Sequence, residues 1–137
     1  MITIAVSEFN AEVSTGLLAG CQAALLESGI PEYDLDVTRV PGVFELPAAA
    51  LRLSQQPGVQ AVITLGAVIR GETDHYHYIS EAVTRGLMHV TLRTAVPVLF
   101  GVLTCQNMEL ARARSEPTGR RNKGYEVGIA AVAMMVH

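Results

Sequence analysis

The sequence predicts a three-layer α/β/α sandwich around a four-stranded parallel sheet. Short β-branched or apolar runs alternate with helical stretches of ten residues or more, which is the pattern of βαβ units. The first of those runs is β-branched, as suits a strand covered on both faces, and the last is apolar throughout. Half of the 137 residues are hydrophobic and only 17% are charged, ample material for one packed core.

Residues 2–6 (ITIAV) form the first strand and stop at the polar loop Ser7-Glu8-Phe9-Asn10. In residues 12–28, Val13, Leu17, Cys21, Ala24 and Leu25 recur at helical spacing, and Gly29 then Pro31 end that helix. Residues 35–40 alternate like a half-buried strand near one edge, and Pro41-Gly42 breaks them. Residues 44–53 read as a helix with Pro47 in its first turn. Residues 59–65 (VQAVITL) are the third strand, 66–71 its exit loop, and 73–93 a long helix capped by Thr73 or Asp74. A fourth, apolar strand occupies 97–103, a short helix 106–114, a polar loop 115–121 and an Ala-rich helix 122–136. The arrangement is of the flavodoxin-like kind, a single domain over 1–137 with no repeat or linker. Ligands bind such sheets at the carboxyl ends of the strands, which singles out loops 7–11, 41–45, 66–74 and 104–107.

A formal charge of −3 without a basic block argues against a nucleic-acid binder. No apolar run approaches the ~18 residues of a membrane span, and no signal segment opens the chain, so a cytoplasmic location is expected. Two cysteines, Cys21 and Cys105, are too few for a disulfide framework and lack metal-ligand spacing. The hydrophobic excess of so small a chain points to surface buried against other copies of itself.

The densest polar cluster is Gly66-Ala67-Val68-Ile69-Arg70-Gly71-Glu72-Thr73-Asp74-His75. It runs from a strand end into a helix N-terminus, where free N–H groups and the dipole favour an anion; a capped surface turn is the plainer reading. It is neither a Walker A sequence nor a dinucleotide fingerprint. His75 lies in the first helical turn, where the dipole favours the neutral imidazole of a general base, or it is a surface histidine. His75 and His77 stand two apart on a helix and cannot share a metal ion, and His89 and His137 offer no useful spacing. Phe9, in a polar loop, suits a stacking platform for a flat ligand, whereas Phe100, in mid-strand, reads as core. Glu45 either complements a helix dipole or accepts from ligand hydroxyls. Arg112, Arg114, Arg120, Arg121 and Lys123 form either a phosphate site or a solvated basic loop. Lys123, between Asn122 and Gly124, suits structure or an anion contact better than a Schiff base. Cys105 has no base partner for a nucleophilic role.

Taken together, SEFN at 7–10, VPGVFELP at 40–47, LGAVIRGETDHYHY at 65–78, PVLFGVLT at 97–104 and NKG at 122–124 resemble the lumazine synthase family, in that family's order and over nearly the whole chain. The resemblance implies condensation of 5-amino-6-(D-ribitylamino)uracil with 3,4-dihydroxy-2-butanone 4-phosphate to 6,7-dimethyl-8-ribityllumazine, with release of phosphate and water and with neither metal nor organic cofactor. It places Phe9 on the pyrimidine, Val43, Phe44 and Glu45 along the ribityl chain, and Ala67, Val68 and Ile69 around the uracil through backbone groups. Glu72 and Thr73 would meet the phosphate-bearing substrate, and His75 would be the general acid/base. Phe100 and Arg114 would come from a neighbouring subunit, Phe100 on the heterocycle and Arg114 on the phosphate, with Lys123 near that phosphate.

Family members are pentamers with sites between adjacent subunits, in some species assembled into a shell of sixty. The chain starts directly at its first core strand, and loop 115–121 is about one residue longer than in shell-forming members, which favours a free pentamer. Val43 is bulkier than the usual small residue there, and His77 stands at a commonly acidic position. An archaeal-type riboflavin synthase and a non-catalytic flavin- or lumazine-binding protein share the scaffold; the His75 motif, Arg114 and NKG favour lumazine synthase over both.

Overall fold

The computed structural model describes residues 1–119 and 121–135. Four parallel strands, β1 (Ile2–Ser7), β2 (Leu35–Val40), β3 (Ala61–Ile69) and β4 (Val98–Cys105), lie in the order β2-β1-β3-β4. The helices are α1 (Ala11–Glu27), α2 (Leu46–Ser54), α3 (His75–Arg93), α4 (Met108–Ala113) and α5 (Lys123–Met135), with single 3₁₀ turns at Glu32–Asp34 and Val43–Glu45. This is the expected flavodoxin-like α/β fold. Among the described residues no helix is long and apolar enough to cross a membrane. Arg120 of the basic loop, Val136 at the end of the expected last helix, and His137 lie outside the described residues.

The two-residue period of the strands divides the core. Ile2, Ile4 and Val6 of β1, with Ile63 and Leu65 of β3, pack under α1 and α5. Ala5, Val62, Val68 and Val102 point to the opposite face, under α2 and α3. The α1 positions expected to be buried, Val13, Leu17, Cys21, Ala24 and Leu25, are all fully buried. Ser14, Gly16 and Gly20 are buried as well, because α5 covers a second side of that helix. The two helices approach backbone to backbone, since a Cβ on Gly124 would meet the Leu17 carbonyl oxygen; one on Gly16 would meet the carbonyl of Ser115, just after α4. Gly29 ends α1 at φ +92°, and the N–H groups of Gly29 and Ile30 donate to Leu26 O and Leu25 O at 3.0 Å each.

Two expectations are corrected. Residues 66–69 are strand rather than exit loop, because β4 runs on to Cys105 and pairs with β3 as far as Ile69↔Cys105. A long partner supplies hydrogen bonds that a loop would leave unmade. Phe100 is not core: it sits on the edge strand β4 and is 38% exposed. α3 begins at His75, with Asp74 at the N-cap position; Asp74 makes no side-chain capping bond, and the His75 N–H donates instead to Thr73 Oγ1 at 3.3 Å.

Candidate functional site

A cavity of about 550 Å³ opens where β1 and β3 end. Chain order reverses direction across the sheet there, since the chain runs from β1 to β2 on one side and then crosses to β3 on the other side of β1, and such a switch point is where open parallel sheets leave a crevice. The turn after β1 supplies Phe9 and Asn10, the turn after β2 supplies Val43 and Phe44, and the end of β3 supplies Ala67, Val68 and Ile69. Thr73 and His75 close it from the start of α3.

Phe9 and Phe44 are 69% and 60% exposed, an unusual state for two phenyl rings flanking one cleft. Backbone bonds hold them there. The Phe9 N–H donates to Pro41 O at 3.1 Å and the Glu8 N–H to Val40 O at 2.8 Å, so the first loop is tied to the second. Val43 is buried and fills the floor, where a Cβ on Gly66 would come within 2.6 Å of its Cγ1.

β3 presents bare backbone to the cavity. Its register with β1 stops at Val6↔Leu65. The Val62 and Arg70 N–H groups donate towards β4, to Pro97 O and Cys105 O. Alternation along the strand therefore turns the backbone groups of Ala67 and Ile69 the other way, into the space beyond β1. The Ala67 carbonyl accepts from Asn10 Nδ2 at 3.3 Å. Asn10 has φ 59° and ψ 54°, the one non-glycine residue with positive φ among those described, a conformation asparagine tolerates better than most. The cavity thus combines aromatic faces, an edge of peptide donors and acceptors, a hydroxyl and an imidazole, which is what a planar polar heterocycle requires.

Of the expected site residues, Phe9, Val43, Phe44, Ala67, Val68, Ile69, Thr73 and His75 meet at this one cavity. Five are placed elsewhere. Glu72 is exposed, outside the lining. Glu45 Oε1 accepts from the Gly42 N–H at 3.1 Å while the Glu45 N–H donates to Gly42 O at 3.2 Å, a reciprocal closure of the turn before α2. Phe100 lines a separate groove of about 290 Å³ with Leu87, Met88 and Val98. Arg114 and Lys123 lie together at the α4–α5 junction, joined through Glu126. Burial pushes the Cys105 thiol up, against an opposing pull from the Arg114 guanidinium, which disfavours a thiolate.

Five lining residues were not among the expected site residues: Asn10, Gly71, Tyr76, Ile79 and Met108. Asn10 carried a signal, as an asparagine at a helix start after a strand. Tyr76 and Ile79 follow His75 on the face of α3 that meets the sheet, and Met108 is the first residue of α4; nothing local marks them. A family model described as 6,7-dimethyl-8-ribityllumazine synthase matches residues 1–137, the whole chain.

Proposed function

The chain belongs to the 6,7-dimethyl-8-ribityllumazine synthase family, transferase-type enzymes of riboflavin biosynthesis, and from that premise we propose that it makes the lumazine itself. In this reading residues 1–137 act as one domain and join 5-amino-6-(D-ribitylamino)uracil to 3,4-dihydroxy-2-butanone 4-phosphate. The ring amine attacks the ketone and water leaves as the imine forms. Loss of a proton beside the imine expels phosphate, and closure of the second ring with loss of another water completes the product. The substrate supplies the amine, so Lys123 acts as a charge and not as a nucleophile, and the chemistry calls for no cofactor or metal.

The observation that carries the reading is the single cavity in which Phe9, the outward-facing peptide groups of Ala67 and Ile69, and His75 converge. Phe9 stacks on the pyrimidine, and the β3 edge matches the carbonyl and N–H pattern of a uracil. Val43, Phe44 and Glu45 border the ribityl chain. His75 moves the protons, with Glu72 and Thr73 beside the phosphate-bearing substrate. Phe100, Arg114 and Lys123 do not line the cavity of their own chain; this agrees with a site shared between adjacent subunits of a homopentamer working in the cytoplasm, in which a neighbour completes each site.

The test supplies both substrates, follows the lumazine by absorbance and sizes the same sample by light scattering. Product from a five-subunit particle is expected. A folded oligomer that binds lumazine without turnover refutes the enzyme reading, and riboflavin formed from lumazine alone assigns the other reaction. His75→Ala should lower turnover by about 10- to 1000-fold with pyrimidine affinity retained, given usual general acid/base contributions. Unchanged turnover removes His75 from the mechanism.

A further inference from the structure

Arg114 and Lys123 already share an anion of their own chain. Arg114 Nη2 lies 3.3 Å from Glu126 Oε2 and 3.4 Å from Oε1, and Lys123 Nζ lies 3.5 Å from the same Oε2. Neither cation depends on that carboxylate for the course of its backbone: the Lys123 N–H donates to Arg114 O at 2.8 Å. Arg114 is fixed further by its Nε–H, which donates to Arg121 O at 2.8 Å. Among the described residues Glu126 is the only ion-pair partner of either cation. All three side chains keep about a third to a half of their surface, 31% and 30% for the cations and 47% for the acid, so a solute reaches them. Arg114 spends its Nε and Nη2 groups on these contacts, and the Nη1 edge of the fork makes no bond among the described residues.

We propose that Glu126 is an internal competitor for the phosphate group: its carboxylate occupies the Arg114–Lys123 pair in the empty site and is displaced from it when phosphate binds. This rests on the reading that Arg114 and Lys123 take the phosphate of the second substrate. Because Arg121 O already anchors the Arg114 guanidinium, the acid does little to position it; its main effect on the pair is to cancel charge. Its function is then at the end of the cycle. Inorganic phosphate left by the elimination faces a tethered carboxylate ready to retake both cations, so the ion leaves instead of inhibiting the next turnover.

The probe is inorganic phosphate, used as an inhibitor against the phosphate-bearing substrate with the full-length assembled protein. Glu126→Gln keeps shape and removes the charge. At low ionic strength it should tighten phosphate inhibition by about 5-fold, or about 1 kcal/mol at 1.4 kcal/mol per tenfold, the scale of one partly screened charge a few ångströms away. The KM for the phosphate-bearing substrate should fall by a similar factor, the KM for the uracil should not move, and the gain should shrink in high salt. Glu126→Ala, read beside it, guards against a defect peculiar to the amide, since both remove the charge of a half-exposed side chain. Weaker or unchanged phosphate inhibition in both variants, with Arg114→Ala abolishing it, overturns the competitor role and leaves the phosphate assignment standing. Phosphate inhibition that survives Arg114→Ala unchanged overturns the assignment and the competitor role together.

Discussion

Asn122, the first residue of the NKG motif, carries a structural load that can be measured. Its side chain is fully buried. Nδ2 donates to Gly16 O and to Glu116 O, each at 2.9 Å, and Oδ1 accepts from the Tyr125 N–H at 3.0 Å. One amide thus pins α1, the loop before α5 and the first turn of α5. Asn122→Ala removes three bonds, one buried and two partly buried, worth about 1 kcal/mol each net, the last of them a helix cap, for a loss of about 3 kcal/mol. In a domain of this size that lowers the melting temperature by roughly 10 °C, read by circular dichroism or calorimetry at fixed protein concentration. Asn122→Asp should be worse, despite its closer shape, because it sets a carboxylate against two carbonyl oxygens. A melting point of the alanine variant within about 2 °C of the parent, or an aspartate variant more stable than the alanine one, refutes the pinning role.

Gly124→Ala gains up to about 1 kcal/mol of helix propensity but drives a methyl into the Leu17 carbonyl, and overpacking of that kind costs about 1–3 kcal/mol. The expected result is melting several degrees lower, whereas Gly71→Ala, whose Cβ meets nothing within 4 Å, should barely change it. Burial pushes the Cys21 thiol up to about 12 from 9.0. The folded state therefore holds a proton that the unfolded chain gives up between pH 9 and about 12. Stability from this group is whole below pH 9 and is lost as the pH rises through that window, by at most about 1.4 kcal/mol per pH unit, as denaturant titrations across it would show. In the native protein at pH 8 Cys21 should also resist alkylation until denaturant is added. Truncating the exposed Glu12–Arg112 pair, 3.1 Å apart, should cost less than about 1 kcal/mol in the same melts.

Where a residue's job is settled by its chain neighbours, the sequence was legible. Gly29 had to end α1 because a left-handed residue was needed after an apolar helical run, and it lies at φ +92°. The boundary at 66–71 was not legible, since Gly66, together with the polar run that begins at Arg70, reads as a loop. Only the length of β4 shows that residues 66–69 are held in the sheet. Phe100 failed for a related reason. A phenylalanine in an apolar strand reads as core until the strand order puts β4 at an edge. Asn122 and Gly124 form a local motif whose partners, Gly16 and Leu17, lie about a hundred residues away.

The alternation of apolar runs with amphipathic stretches determined the fold class by itself, because burial periodicity is a property of contiguous residues. It also marked the loops at which a ligand would sit, since parallel strands must all end on one side. Which of the marked residues share a cavity was decided only by the tertiary structure. Strand order carries the turn after β1 to the end of β3, turns the peptide groups of Ala67 and Ile69 into the gap beyond β1, and leaves Phe100, Arg114 and Lys123 on other surfaces. Such convergence depends on contacts between residues far apart in the chain, and no local pattern encodes the direction in which two distant segments meet.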